Sequence, residues 1–100
     1  WQEETFDPVA ALRPFDDFDE AIAMANDSRY GLGAVLFTDS PRNAMQAADR
    51  LEVGLLKINA AIGIVAGSTW EPTKQSGFGY GNGQELLLSL VHQKSVFWQV

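Results

Sequence analysis

"DDFDEAIAMANDSRYGLGAVLFTDSPRNAMQAADRLEVGLLKIN", residues 16–59, decides the fold, because its hydrophobic period switches from one element to the next. Phe18, Ala21, Ile22 and Ala25 fall at i, i+3, i+4 and i+7, which is one apolar stripe of a helix. Asp16 or Asp17 can cap that helix, Asp19 and Glu20 suit the positive end of its dipole, and Gly31 can close it. "GAVLFT" (33–38) then reads as a short buried strand. In "DSPRNAMQAADRLEVG" (39–54) Ser40 is a cap, Pro41 takes the first helical position and Gly54 lies beyond the end. Ala44, Ala48 and Leu51 form the expected buried face of this second helix. "LLKIN" (55–59) is the next strand, and upstream "PVAALRPF" (8–15) reads as another. Residues 8–59 therefore predict an α/β fold, a β-α-β-α-β unit with parallel strands and right-handed crossovers.

Regularity lapses after Asn59. "AAIGIVAGSTWEPTKQSGFGYGNG" (60–83) carries no helix or strand pattern, and loops of that length in a compact domain are usually functional or else misassigned. "GQELLLSLVHQ" (83–93) predicts a third helix with Leu86, Leu87, Leu90 and Val91 on its buried side. "KSVFWQV" (94–100) alternates as a C-terminal edge strand, with Val96, Trp98 and Val100 on one side and Phe97 on the other. The glycines of "KQSGFGYGNGQELL" (74–87) invite comparison with phosphate-binding loops. A dinucleotide fingerprint places its third glycine where Asn82 or Gln84 stands, and a Walker loop ends in a lysine that here precedes the glycines as Lys74. Neither template fits, so a nucleotide-phosphate binder is disfavoured.

Bulk properties narrow the function further. At 100 residues the chain is at most one domain, and 46% apolar with 20% charged residues is a globular composition. A net charge of −6 with no basic patch argues against nucleic acid or an anionic membrane surface as partner. The absence of cysteine excludes disulfides, thiolate metal sites and a cysteine nucleophile, and the single His92 cannot build a metal site alone. The longest weakly polar run, "AAIGIVAG", falls far short of the about 20 residues needed to span a bilayer. No charged-then-apolar signal opens the chain, which makes a cytoplasmic setting the default. The start at Trp1, running directly into "QEETFDPV", reads as if cut from something longer.

"EETFDPV", "DEAIAMANDSRYGLGAVLFT", "GLLKINA" and "KQSGFG", in that order, resemble the C-terminal part of NAD(P)-dependent aldehyde dehydrogenases, and the resemblance covers essentially the whole chain. It implies residues 1–93 as part of the catalytic domain and 94–100 as a strand that joins the oligomerisation sheet of a neighbouring subunit, hence a homo-oligomer. The family's Glu-x-Phe-Gly-Pro motif stands here as Glu4-Thr5-Phe6-Asp7-Pro8. The resemblance assigns Glu4 to the nicotinamide ribose hydroxyls of NAD or NADP and Phe6 to the nicotinamide end. Ile64 and Trp70, counted back from Lys74, fall where the family lines its aldehyde tunnel. Gly77 and Gly79 match the turn into the last helix, where positive φ and close backbone approach are needed.

Departures accompany the match. Asp7 replaces a glycine, Thr69-Trp70-Glu71-Pro72 stands for Pro-Phe-Gly-Gly, and Tyr80-Gly81 for Arg-Glu. The family oxidises an aldehyde to a carboxylic acid through a thiohemiacetal, and its nucleophilic cysteine, oxyanion asparagine, glutamate base and dinucleotide-binding domain all lie upstream of this segment. No catalytic residue and no metal ligand is therefore expected within these 100 residues, and the chain alone is expected to be inactive. The contrasting expectation is a non-catalytic interaction module derived from the same segment.

Overall fold

The computed structural model describes residues 2–61, 63 and 65–100. Helix α1 (Phe18–Asn26) begins where its acids dictate. Asp17 is the cap, its carboxylate accepting the Glu20 N–H at 2.8 Å, while Glu20 reaches back to accept the Asp16 N–H at 2.8 Å. This is the reciprocal arrangement of a capping box, displaced by one residue on its return arm. The helix ends at Asp27, earlier than a Gly31 stop requires. Gly31 instead lies in β1 (Tyr30–Gly31), which runs antiparallel to β4 (Thr73–Lys74). Ile22 is buried as its stripe predicts, but Met24 is buried too and Ala25 is exposed, so the covered face is rotated from the expected one.

β2 (Gly33–Leu36), α2 (Pro41–Arg50) and β3 (Leu55–Ile58) form the β-α-β unit, with β2 and β3 parallel in the register Gly33 to Leu55 through Leu36 to Ile58. Ser40 caps α2 through the Asn43 N–H and Pro41 opens it, as the sequence predicts. The fully buried position is Ala47, with Ala44 half-buried and Ala48 exposed. Asn59, at φ 52°, continues the ladder with its side chain: Oδ1 accepts the Thr38 N–H at 2.9 Å and Nδ2 donates to the Thr38 carbonyl at 2.7 Å.

The expected first strand is absent. Residues 8–15 carry no strand, so the parallel unit is β-α-β and not β-α-β-α-β. Pro8 and Pro14 remove ladder donors at both ends of that segment, no strand lies beside it among the described residues, and Leu12 is 92% exposed. The expected structureless loop does contain order. β4 lies within it, and Trp70 bridges Gly81 through a pair of backbone hydrogen bonds of 3.2 and 2.8 Å. A Cβ at Gly81 would stand 2.3 Å from the Trp70 ring, so only glycine lets the indole lie against the turn. Gly77, Gly79 and Gly83 all have positive φ, as the turn reading requires.

α3 (Gly83–Ser89) is shorter than the predicted helix, and Leu87, Leu90 and Val91 are exposed where burial was expected. Residues 94–100 carry no strand, so the expected C-terminal edge strand is absent; no described segment lies beside them to share a ladder. The core is correspondingly thin: Ile22, Met24 and Ala47 are its buried apolar residues among those described. The molecule measures 72 × 33 × 22 Å with a radius of gyration of 18.2 Å, against about 13 Å for a compact chain of this length.

A knot of polar contacts holds these pieces together. The Lys74 ammonium donates to the carbonyls of Asn26 (2.8 Å) and Ser28 (3.1 Å) and pairs with Glu52 at 2.7 Å. The Thr73 hydroxyl is shared between the carbonyls of Gly31 and Glu52, and the Gly31 N–H donates to Ser76 Oγ at 2.9 Å. Asn26 ties the ends of both long helices, donating to the Arg50 carbonyl and accepting from the Glu52 N–H.

Two predictions follow from these contacts. Lys74→Met leaves the last carbonyls of α1 without their cation and is expected to lower stability by about 1.5–3 kcal/mol, whereas Arg13→Ala, at an exposed position, is expected to be neutral. Denaturant midpoints of the two variants, each in a polypeptide that joins this chain to the upstream segment implied by the family resemblance, check this. In α3, the Thr69 hydroxyl donates to the Glu85 carboxylate and holds its pKa below the ordinary carboxylate value, with a backbone hydrogen bond as the second cause. A depressed folded-state pKa contributes stability that is present above the unfolded value and lost as pH falls through the folded one. Thr69→Ala is expected to return Glu85 upward, read by carboxyl NMR titration.

Candidate functional site

One face of the chain carries an open cleft of about 590 Å³. Its walls are the segment from Ser28 to Ala34, the turn at Leu51 and Val53 that follows α2, and Gln75 and Ser76 of the loop after β4. The polar knot builds these walls. Lys74 fixes Ser28 and Thr73 fixes Gly31, while Ser76 receives the Gly31 N–H, so three residues of one loop set the backbone of the opposite wall. Gly31 has to be glycine here, since a Cβ would stand 2.0 Å from Thr73 Oγ1 and 2.5 Å from the Glu52 carbonyl.

Glu4 lies on this cleft, and among the described residues no hydrogen bond or ion pair engages its carboxylate. Its segment has no regular structure, and its tether is Gln2, whose Nε2 donates to the carbonyl (3.0 Å) and carboxylate (3.2 Å) of Asp27. The C-cap of α1 thus doubles as the anchor for the segment that carries Glu4. An exposed carboxylate accepts from water or from the two hydroxyls of a vicinal diol alike, so Glu4 is compatible with a ribose without pointing to one.

The other residues singled out by sequence stand apart. Phe6 is 89% exposed at φ 52° and does not line the cleft. Trp70 is half-buried against Gly81, and its Nε1 is covered without a hydrogen-bond partner. Ile64 lies outside the described residues. The structure therefore brings Glu4 to a cleft but does not gather Glu4, Phe6 and Trp70 into one site. Sequence reasoning passed over Thr73 and Ser76 and left Lys74 without a role. The available signal was the end of α1, where free carbonyls with no basic residue in the last turn require a donor from elsewhere. No group of three or more His, Asp or Glu side chains suited to a metal ion occurs among the described residues. No helix among them is long and apolar enough to cross a membrane.

Comparison with known proteins gives this arrangement its context. The model of the aldehyde dehydrogenase family matches residues 1–96. The chain is 45% identical over 83 residues to 4-(hydroxymethyl)benzenesulfonate dehydrogenase TsaD1 of Comamonas testosteroni, covering 83% of this chain and 17% of that protein. It is 42% identical over 96 residues to betaine aldehyde dehydrogenase of Vibrio vulnificus, covering 96% of this chain and 20% of that protein. Among solved structures, betaine aldehyde dehydrogenase of Staphylococcus aureus in complex with NAD+ superposes with a TM-score of 0.83 at 39% identity, over 88% of this chain and 18% of that one. The chain thus spans about a fifth of the length of the relatives it matches. By a family match that spans nearly its whole length, the chain is a member of the aldehyde dehydrogenase family.

Proposed function

We propose that this chain supplies the C-terminal part of the catalytic unit of an NAD(P)-dependent aldehyde dehydrogenase, an enzyme that oxidises an aldehyde to a carboxylic acid. The observation that carries the reading is the unpaired Glu4 carboxylate on an open cleft whose opposite wall is fixed by the Lys74 loop. In this role Glu4 accepts from the nicotinamide ribose hydroxyls, and Phe6, free at the surface, packs against the nicotinamide end. When bound, NAD or NADP accepts hydride from the substrate. What these residues contribute is orientation: an acceptor for both hydroxyls of the ribose and an aromatic face that limits how the ring swings. Ile64 and Trp70 contribute to the aldehyde tunnel, where apolar walls exclude water from the reacting carbon.

The chain holds no cysteine, so it supplies no thiolate to attack the aldehyde. Partner surface supports the same reading. The chain exposes 8247 Å², against about 5600 Å² for a folded monomer of its mass. Phe78, Phe97 and Trp98 are among the apolar side chains left open, at 97%, 95% and 84%. Residues 94–100 then act as an edge strand for a neighbouring subunit, giving a homo-oligomer of dimer size or larger.

Four measurements test this. The 100-residue chain is expected to form no NAD(P)H from any aldehyde, and turnover by a cysteine-free preparation would overturn the assignment. Light scattering at micromolar concentration is expected to give a dimer or larger, and a clean monomer counts against the edge strand. In a polypeptide that joins this chain to a cysteine-bearing catalytic segment, Glu4→Gln is expected to weaken cofactor use by about 10- to 100-fold, the value of a hydrogen bond to a charged group. Unchanged kinetics would remove Glu4 from the cofactor site. Saturable NAD binding by the isolated chain, followed by tryptophan fluorescence, would favour a free-standing binding module instead.

A further inference from the structure

The sequence contains four asparagines, and only Asn82 is followed by glycine. The fold treats the four very differently. Asn26 has both ends of its carboxamide engaged, Nδ2 with the Arg50 carbonyl at 2.7 Å and Oδ1 with the Glu52 N–H at 3.0 Å. Asn59 is clamped in the same manner on Thr38. Asn43 lies within α2, where the next amide, Ala44 N–H, already donates to the Ser40 carbonyl at 3.0 Å. Asn82 sits at the N-cap position of α3 at φ 60° and ψ −176°, and its side chain makes no cap hydrogen bond. Among the described residues neither its carboxamide nor the Gly83 N–H has a hydrogen-bond partner.

We propose that Asn82 is this chain's site of spontaneous deamidation, with the Gly83 backbone nitrogen as nucleophile. Gly83 N gives its proton to solvent base and attacks Asn82 Cγ, which forms a C–N bond. The Cγ–Nδ2 bond then breaks, Nδ2 leaves as ammonia with a proton from water, and a five-membered imide remains. Water adds to either imide carbonyl and reopens the ring, giving aspartate or its isoaspartyl isomer. No electrons are transferred, and water is the only other reactant. Glycine at 83 favours the attack because no Cβ crowds the nitrogen. Both products add a carboxylate to a chain that already carries −6. The isoaspartyl product also adds one carbon to the main chain between Gly81, held on Trp70, and the start of α3. Modification there loosens the turn against which the Trp70 indole rests.

The test uses the 100-residue chain as it stands, aged at mildly alkaline pH and mapped by peptide mass spectrometry, with isoaspartyl methyltransferase as a second readout. The expected result is a gain of about one dalton and one negative charge confined to the peptide containing residues 82 and 83. Asn26, Asn43 and Asn59 are expected to stay intact over the same interval, and Asn82→Gln is expected to abolish methyltransferase labelling. Because no hydrogen bond among the described residues holds the Asn82 carboxamide, its rate in a folded polypeptide that joins this chain to a cysteine-bearing catalytic segment is expected to equal its rate in concentrated guanidinium. Faster or equal conversion at another asparagine overturns the proposal. So does a rate at Asn82 that folding suppresses, since the fold would then be restraining the group.

Discussion

The Lys74 ammonium is the contact on which the rest of the structure depends. α1 ends without a basic residue in its last turn, so the carbonyls of Asn26 and Ser28 face outward with no cation of their own. Lys74, 48 residues away from Asn26, arrives to satisfy them and pairs with Glu52 on the way. That position costs the backbone something, because Lys74 sits at φ 53°, a region L-residues enter rarely. The three polar partners offset the cost. Thr73 and Ser76, on either side, extend the same loop to Gly31, and the cleft wall becomes a consequence of one short segment. The ion pair itself counts for less than the carbonyl contacts, since Glu52 is 60% exposed and surface pairs contribute about 0–1 kcal/mol.

Local signals in the sequence were faithful at the starts of the first two helices, less so at the end of α1 and along α3. Ser40 and Pro41 start α2, Asp17 starts α1, and the period switch across residues 33–58 gives a parallel strand pair with its crossover helix. What could not be read from periodicity depends on distant neighbours. "PVAALRPF" is apolar enough for a strand, but a strand is a relation between two segments, and no second segment lies beside this one among the described residues. Ala25 fits the stripe of α1 yet lines the Glu4 cleft and a neighbouring hollow, while Met24 turns inward. The "KQSG" segment was legible as a turn from its glycines, whereas the tasks of its lysine and serine appear only once helix ends that are far away in sequence meet them.

The candidate site divides in the same way. The family resemblance singles out Glu4, and the structure places it on a cleft with a Gln2–Asp27 tether in its segment. Phe6 and Trp70 do not reach that cleft. Trp70 spends its ring face on Gly81, and glycine is the residue that stands where the family pattern has glutamate. The substitution is thus physically coupled to the indole: any side chain at 81 collides with Trp70 where the two strands of the bridge meet.

That coupling bears on how a chain with so small a core keeps a defined shape. Three buried apolar residues cannot supply the hydrophobic free energy that orders about 100 residues, since each full burial contributes about 1.5–3 kcal/mol against an entropic cost of about 1–2 kcal/mol per residue. Directional contacts can still define local geometry: paired caps, a bridged tryptophan, a threaded lysine and two asparagines that each satisfy a distant backbone. They specify how elements meet without providing the energy to keep them together. The missing energy has to come from covering the open apolar surface, which includes Leu12, Phe78, Phe97 and Trp98. The exposed apolar residues named here do not line the Glu4 cleft, so the surface that needs covering and the cleft are separate features of the chain.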